Sequence, residues 1–143
     1  MKENLTENEI VRQRERLIEL EAAVAELSKR LESLRQSEKR YRHIVEDQTD
    51  FICRFLPGGV ITFASPSLHR LTGHAPGSLA GQSFFSFIPS PDREDVEGAI
   101  SSLATENPVT IVEHRVILPD GSISWQQWTN RAIYDTRGRF IEY

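Results

Sequence analysis

The sequence predicts an α+β fold, in which a small antiparallel sheet with short flanking helices follows a long N-terminal coiled-coil helix. No glycine or proline occurs before Pro57, which is the composition of a helix. Residues 60–73 pass from a β-branched and aromatic run into a short helix, and residues 109–118 alternate between two faces as a strand does. The globular part is predicted to contain two strands, several short helices and then three strands.

The N-terminal segment has the apolar spacing of a coiled coil. A heptad frame that starts at Ile10 puts apolar residues at seven of the eight a and d positions up to Leu34, with Gln13 as the exception. A seam this narrow predicts a parallel homodimer through the helix, although folding back onto its own domain and a solvated charged helix remain alternatives. The predicted interface residues are Ile10, Leu17, Leu20, Val24, Leu27, Leu31 and Leu34.

Two short helices are predicted from their end signals. In the first, Ser65 is the N-cap, Pro66 fits the first helical position, and Gly73 can adopt the left-handed conformation at the end. In the second, Ser90 is predicted to cap the helix and Asn107-Pro108 to end it. Val96, Ile100 and Leu103 form the apolar face of this second helix.

The strands that follow have two distinct faces. On 109–118 the residues of even number are mostly apolar, and Glu113 and Arg115 lie together on the other face, where we expect them to pair. The strand at 122–134 carries Trp125 on one face and Trp128 on the other. Because a sheet with one side in water needs no tryptophan there, we expect the lead-in helix or a partner chain to cover the outer face.

Composition excludes several functional classes. The formal net charge of −4 gives no indication of nucleic-acid binding, and one cysteine excludes an intramolecular disulfide. No apolar run approaches the about 20 residues of a membrane span, and the N-terminus lacks the apolar core of a signal peptide. These features predict a cytoplasmic protein without membrane contact. No catalytic triad, zinc spacing or phosphate loop is present in the sequence, so we predict no enzymatic activity and no metal site.

Several segments, in their order and spacing, resemble the PAS family of sensory modules over residues 41–143. Residues 64–67, Ala-Ser-Pro-Ser, followed by Leu71-Thr72-Gly73, resemble the family's passage from second strand to first helix. The other matching segments are 41–46 as lead-in helix, 50–55 as first strand, Pro57-Gly58-Gly59 as hairpin turn, Leu79-Ala80-Gly81, Pro91-Asp92-Arg93, and Pro119-Asp120-Gly121 before the closing strands. The resemblance predicts a coiled-coil signalling helix at 1–40 and a PAS domain at 41–143 whose last strand is truncated.

The resemblance also implies a five-stranded antiparallel sheet that encloses a ligand pocket with the helices. By strand parity, the residues expected to face this pocket are Arg54, Phe63, His114, Gln126, Trp128 and Asn130. A small anionic or aromatic molecule bound by Arg54 and Trp128 is one hypothesis. A core filled by side chains, with Arg54 reaching the rim, is the other.

The resemblance, residue by residue, predicts neither flavin nor haem as a cofactor here. Phe84 stands where flavin-binding relatives carry their reactive cysteine, and Cys53 lies on the first strand, where we expect a small buried apolar residue. The long helix lacks the axial histidine of haem-binding relatives, and we expect His114 to be a hydrogen-bonded core residue. His69 and His74 are expected at the surface, and His43 in the lead-in helix.

PAS domains of bacterial signalling proteins dimerise and relay signals to an output domain. The resemblance therefore implies a sensory and regulatory module whose output, for example a histidine kinase or a diguanylate cyclase, is not within this sequence. A ligand-free structural interaction module is the principal alternative. A small α+β enzyme with unrecognised catalytic groups is the other.

Overall fold

The structure is a computed structural model, and it describes residues 6–143. The helices are α1 (Glu7–Glu46), α2 (Pro66–Thr72), a 3-10 helix (Phe84–Phe87) and α3 (Ser90–Ser101). The strands are β1 (Cys53–Leu56), β2 (Val60–Ala64), β3 (Val109–Ile117), β4 (Ile123–Arg131), β5 (Ile133–Tyr134) and β6 (Phe140–Glu142). This element order confirms the predicted α+β class.

Helix α1 is one continuous element of 40 residues. Thr6 precedes it, and the Glu9 carboxylate accepts hydrogen bonds from the Thr6 hydroxyl and backbone N–H, both at 2.7 Å, as in a capping box. These bonds hold the pKa of Glu9 below its usual value. The helix continues through the predicted boundary at residue 40 and contains His43, as expected. The compact part of the chain begins at Glu46 and runs to Tyr143.

The strands form three antiparallel pairs, β1 with β2, β3 with β4, and β5 with β6. Two connections join these pairs. Only Ala132 separates β5 from β4, and Phe55 on β1 exchanges both backbone hydrogen bonds with Tyr143, the residue after β6, at 3.0 and 2.8 Å. The order of hydrogen-bonded strands is therefore β2, β1, β6 and β5. The strand β4, which continues into β5, pairs with β3. The five predicted strands are present, with the fourth interrupted at Ala132.

Helix α2 has the predicted ends. The Ser65 hydroxyl accepts the Leu68 N–H at 3.4 Å, Pro66 opens the helix, and Gly73 ends it with φ of 70°. The surface position expected for His69 was wrong, because its side chain is only 6% exposed. Its Nδ1–H donates to the Ser65 carbonyl at 3.0 Å, and the Gly77 N–H donates to its Nε2 at 2.9 Å. His69 thus fastens the following loop to α2. His74 is half-buried against the Phe87 ring.

Helix α3 differs from its prediction at both ends. It begins at Ser90 without a side-chain cap and ends at Ser101 rather than at Asn107-Pro108. Its buried face consists of Val96 and Ile100, and Leu103 is buried just beyond the helix. The pairing expected between Glu113 and Arg115 was also wrong. Asp92 on α3 accepts hydrogen bonds from the side chain of Arg115 and from its backbone N–H, while Glu113 accepts one from Gln127 at 2.9 Å.

Acidification is expected to weaken this tie between α3 and β3. The side-chain hydrogen bond from Arg115, followed by the bond from its backbone N–H, holds the pKa of Asp92 at about 2, below its ordinary value of 3.8. Since the pKa is lower in the folded state, the Asp92 carboxylate stabilises the fold above about pH 4, and this contribution is lost as the pH falls towards 2. Urea unfolding between pH 5 and pH 2 should therefore show a shallower loss of stability for Asp92→Asn than for the wild type.

The matched control is Asp95→Asn, which removes the same formal charge from an exposed position of α3. It should leave the slope of unfolding free energy against pH close to that of the wild type. Equal slopes for the wild type and Asp92→Asn would contradict the role assigned to this ion pair.

Two clusters of apolar side chains form the core. One consists of Phe55, Ile88, Val96 and Ile100, and joins α3 to β1. The other consists of Ile61, Leu68 and Leu79, and joins β2, α2 and the loop that follows α2. Cys53 and Phe84 contact both clusters. The space between these clusters is the candidate site.

Candidate functional site

An apolar cavity of about 50 Å³ lies where the two core clusters meet the inner face of β3 and β4. Its lining residues come from the β1–β2 and β3–β4 pairs, from α2 and from the 3-10 helix with the residue that follows it. They are Cys53, Phe55, Ile61, Leu68, Leu71, Thr72, Phe84, Phe87, Ile88, His114, Val116, Trp128 and Asn130. A buried water needs about 10–15 Å³, so the cavity holds a few water-sized groups. It is too small for a flavin or a haem unless its walls move.

His114 and Asn130 give this cavity a polar edge. The His114 side chain is buried, its Nδ1–H donates to the Arg115 carbonyl at 3.0 Å, and its ring is stacked with that of Trp128. The Asn130 Nδ2 donates to the Trp128 carbonyl at 3.4 Å. These bonds leave His114 Nε2, in the Nδ1–H tautomer, and Asn130 Oδ1 as hydrogen-bond acceptors.

Neither acceptor is sealed off in the protein interior. Neither atom makes a hydrogen bond within residues 6–143. In that part of the chain, every side-chain nitrogen or oxygen that is inaccessible to solvent has a hydrogen-bond partner. The two atoms are therefore reached by a water-sized probe, although both residues are buried and line the cavity. Such an edge favours a neutral ligand with an N–H or O–H donor.

The other polar side chains that line the cavity, Thr72 and Cys53, offer a ligand little. The Thr72 hydroxyl donates to the Leu68 carbonyl at 2.9 Å. Burial raises the pKa of the Cys53 thiol to about 12, so Cys53 is a protonated, weakly polar wall rather than a thiolate nucleophile or metal ligand. Among the described residues, no three His, Cys, Asp or Glu side chains are grouped so that they could hold a metal ion.

The structure distributes the six predicted pocket residues over three places. His114, Trp128 and Asn130 line the cavity. Gln126 lies beside it, where its Oε1 accepts the Trp128 Nε1–H at 3.1 Å. Arg54 and Phe63 are not among the lining residues. Arg54 forms an ion pair with Glu142 at 2.7 Å, and Phe63 is 40% exposed.

A β-bulge explains why Phe63 was assigned to the wrong face, whereas Arg54 points outward by its simple alternation with Cys53 and Phe55 on β1. Arg54 pairs with Phe63, but the next residue of β1, Phe55, pairs with Ile61, so Thr62 is the extra residue on β2. The inward residues are therefore Cys53, Phe55 and Ile61, which strand parity without a bulge did not predict. Glu142 neutralises Arg54, so the anion-binding role considered for Arg54 is not supported.

The outer face of the β3–β4 pair carries apolar side chains. Trp125 is 70% exposed, and the guanidinium carbon of Arg115 lies 5.8 Å from the centre of its ring, within the range of a cation–π interaction. Ile111 and Ile123 are also exposed on these strands. Exposed apolar groups of this size are typical of surfaces that meet a partner.

The helices of residues 6–143 include none that is both long enough and apolar enough to span a bilayer. Helix α1 is the longest of these helices.

Comparison with known proteins relates this fold to one family. The model of the PAS fold matches residues 39–143. A two-component sensor of Pseudomonas aeruginosa, PprA, is 27% identical over 107 residues, which are 75% of this chain and 12% of that protein. The chain therefore spans about an eighth of the length of this relative.

Two solved structures have the same fold. The PAS domain of an HTR-like protein from Haloarcula marismortui has a TM-score of 0.68 at 19% identity, over 79% of this chain and 92% of that one. The PAS domain of a protein from Colwellia psychrerythraea has a TM-score of 0.65 at 19% identity, over 73% and 88% respectively. PAS domains are sensory modules rather than catalytic ones. With the family match over most of its length and the same fold, this chain belongs to the PAS family.

Proposed function

We propose that this chain is a cytoplasmic sensory module that dimerises through α1 and relays a signal to an output domain elsewhere in a longer protein. The observation that carries this proposal is the apolar seam of α1. Its seven members are 43–67% exposed, from Ile10 at the low end to Leu34 at the high end. A line of exposed apolar side chains at heptad spacing favours association with a second helix.

Two exposed ion pairs between residues four apart also support the helix. Glu26 and Arg30 form an ion pair at 2.9 Å, and Glu38 and Arg42 form one at 2.6 Å. Each such exposed pair contributes only a few tenths of a kcal/mol. The charges therefore support the helix, and the seam supplies the association.

The expected result for the double variant Leu20→Glu and Leu27→Glu is a monomer under conditions where the wild type is a dimer. Both residues occupy d positions, where a glutamate would place a charge in the apolar interface. Native mass spectrometry and sedimentation velocity measure the oligomeric state, and circular dichroism reports the fold of the PAS domain.

The control variant is Ala22→Glu with Ala25→Glu, which adds the same two charges at exposed positions away from the a and d seam. It should remain dimeric. A seam variant that stays dimeric would exclude the coiled-coil interface, and a wild type that is monomeric at every concentration tested would exclude dimerisation itself.

We further propose that the cavity binds a small neutral molecule, and that binding changes how the outer sheet face packs in the dimer. His114 Nε2 and Asn130 Oδ1 would accept its hydrogen bonds, and Trp128 would contact its apolar part. The proposed effect on an output domain is supported by the relative, which is a two-component sensor.

Small amides and alcohols are the probes for this ligand site. A few of them should raise the melting temperature of the wild type, because a ligand that binds only the folded state stabilises it. Val116→Phe is expected to abolish the shift by filling the cavity, which Val116 lines. No shift for any probe would instead favour a ligand-free interaction module, and turnover of a probe would favour the enzyme alternative.

A further inference from the structure

A second pocket lies between the turn that joins β1 to β2 and the C-terminal half of α3. It has a volume of about 140 Å³, and of the residues that line it only Phe55 and Phe84 also line the candidate cavity. Exposed residues of the turn and of α3 form its rim, and buried and half-buried aromatic residues form its floor. The pocket is therefore a separate site that is open to solvent.

Four aromatic rings form a continuous row along this pocket. The ring centres of Tyr143 and Phe55 lie 5.4 Å apart, and those of Phe55 and Phe84 lie 4.6 Å apart. The row ends at Phe85, whose ring centre lies 4.4 Å from that of Phe84. The face of an aromatic ring carries partial negative charge, and a cation within about 6 Å of a ring centre is attracted to it. A lining of this composition favours a cation that also has apolar groups.

The charge at the rim favours the same kind of ligand. Glu97 is the one charged side chain among the lining residues, all of which belong to the part of the chain that the structure describes. Its side chain is exposed, and none of the ion pairs within residues 6–143 includes it. The carboxylate is therefore available to a cationic ligand.

The end of α3 adds to the negative potential of the pocket. Ser101, the last residue of this helix, lies four residues after Glu97 and therefore on the same face. The C-terminus of a helix carries a partial negative charge, which a basic side chain in the last turn can neutralise. Helix α3 has no basic side chain in its last turn. The helix dipole and the carboxylate thus both favour a positive charge here.

The lining selects an organic cation rather than a metal ion. Ca²⁺ and Mg²⁺ take about six to eight oxygen ligands, whereas this pocket combines one carboxylate and one serine hydroxyl with four aromatic residues. The rings suit the methyl or methylene groups of an alkylammonium ion. An engineered apolar cavity of about 150 Å³ binds benzene, so a pocket of about 140 Å³ has room for a cation of that size.

We propose that this pocket binds a small organic ammonium ion. Its positive charge pairs with the Glu97 carboxylate, and its carbon groups contact the row of aromatic rings. Where the ammonium ion carries an N–H, the Ser101 hydroxyl accepts a hydrogen bond from it. This site is additional to the cavity proposed for a neutral ligand, and its binding depends neither on that ligand nor on dimerisation.

Choline is the probe for this site, and its matched control is 3,3-dimethylbutan-1-ol, which has the same shape without the charge. Each compound is titrated into the whole chain at constant ionic strength, and the backbone amide signals are followed by NMR. We expect choline to shift the signals of Gly58, Gly59 and Ser101 along one saturating curve. The neutral alcohol should bind at least about threefold more weakly.

Two variants test the carboxylate. Glu97→Gln removes the charge and keeps the shape, whereas Glu94→Gln removes the same charge from an exposed position of α3 that does not line the pocket. We expect Glu97→Gln to weaken choline binding by about threefold or more and Glu94→Gln to change it by less than about twofold. Circular dichroism checks that both variants fold as the wild type does.

Several results would overturn the proposal. Equal binding of choline and the neutral alcohol would mean that the pocket recognises apolar shape alone. Equal binding of choline by the wild type and Glu97→Gln would remove the carboxylate from the site. Shifts centred on His114 and Asn130 would place choline in the candidate cavity instead, and the lack of any saturating shift would exclude the site altogether.

Discussion

Replacing Leu79 with alanine is expected to lower the free energy of unfolding by about 2–5 kcal/mol. Leu79 is fully buried and belongs to the cluster with Ile61 and Leu68. It lies in the loop after α2. The backbone of this loop forms two hydrogen bonds with Ile61 on β2. The Gly81 N–H donates to the Ile61 carbonyl and the Ile61 N–H donates to the Gln82 carbonyl, each at 2.8 Å. Its side chain therefore anchors an otherwise irregular segment to the core.

Urea unfolding followed by circular dichroism measures this loss. Leu56→Ala is the matched control, since it removes the same atoms from a strand position that is 41% exposed, and it should cost less than about 1 kcal/mol. An equal loss in the two variants would show that the cluster around Leu79 contributes no more than the surface. Because domains of this size are stable by about 5–15 kcal/mol, the expected loss is a large share of the total.

Predictions from the sequence succeeded where the determining groups are close together in the chain. The cap at Ser65, the proline at the first helical position and the left-handed Gly73 lie within nine residues and define α2 almost alone. The face of β4 that carries Trp128 and Asn130 followed from simple alternation, because no bulge interrupts its pairing with β3.

Predictions failed where a segment elsewhere in the chain determines the exposure or the partner of a residue. His69 resembles an exposed helical residue until the loop at Gly77 closes over it and donates a hydrogen bond. The face of Phe63 depends on the bulge at Thr62, which is a property of the strand pair rather than of either strand. Asp92 was named only within the segment Pro91-Asp92-Arg93, and its partner Arg115 is 23 residues away in the sequence.

The candidate site shows the same division. The family resemblance and strand parity predicted that His114, Trp128 and Asn130 face inward, but not that the space beside them is only about 50 Å³. A cavity is the small volume that remains after many side chains have packed, so it depends on all of them at once. Cys53 and Phe55 could have been assigned to the inner face from their alternation with Arg54 and Leu56, had the strand been taken by itself.

The turn between β1 and β2 carries the second large effect. Gly58 and Gly59 both adopt positive φ, at 82° and 78°, and the Gly59 N–H donates to the Leu56 carbonyl at 3.0 Å. A Cβ atom on Gly59 would lie 2.6 Å from Cδ2 of Phe85 and 3.1 Å from the Ser83 hydroxyl, whereas one on Gly58 would meet nothing within 4 Å. A side chain at Gly58 would therefore cause backbone strain alone, whereas one at Gly59 would cause the same strain and a steric clash.

Gly58→Ala is expected to cost about 1–2 kcal/mol from the left-handed conformation alone. Gly59→Ala carries the same strain and must also displace Phe85, which adds about 1–3 kcal/mol for overpacking. Urea unfolding of both variants measures the difference, and equal losses would mean that Phe85 moves aside freely. Since Phe85 is next to Phe84, which lines the cavity, a displaced Phe85 should also change the fluorescence of Trp128 in a Trp125→Phe background, where Trp128 is the remaining tryptophan.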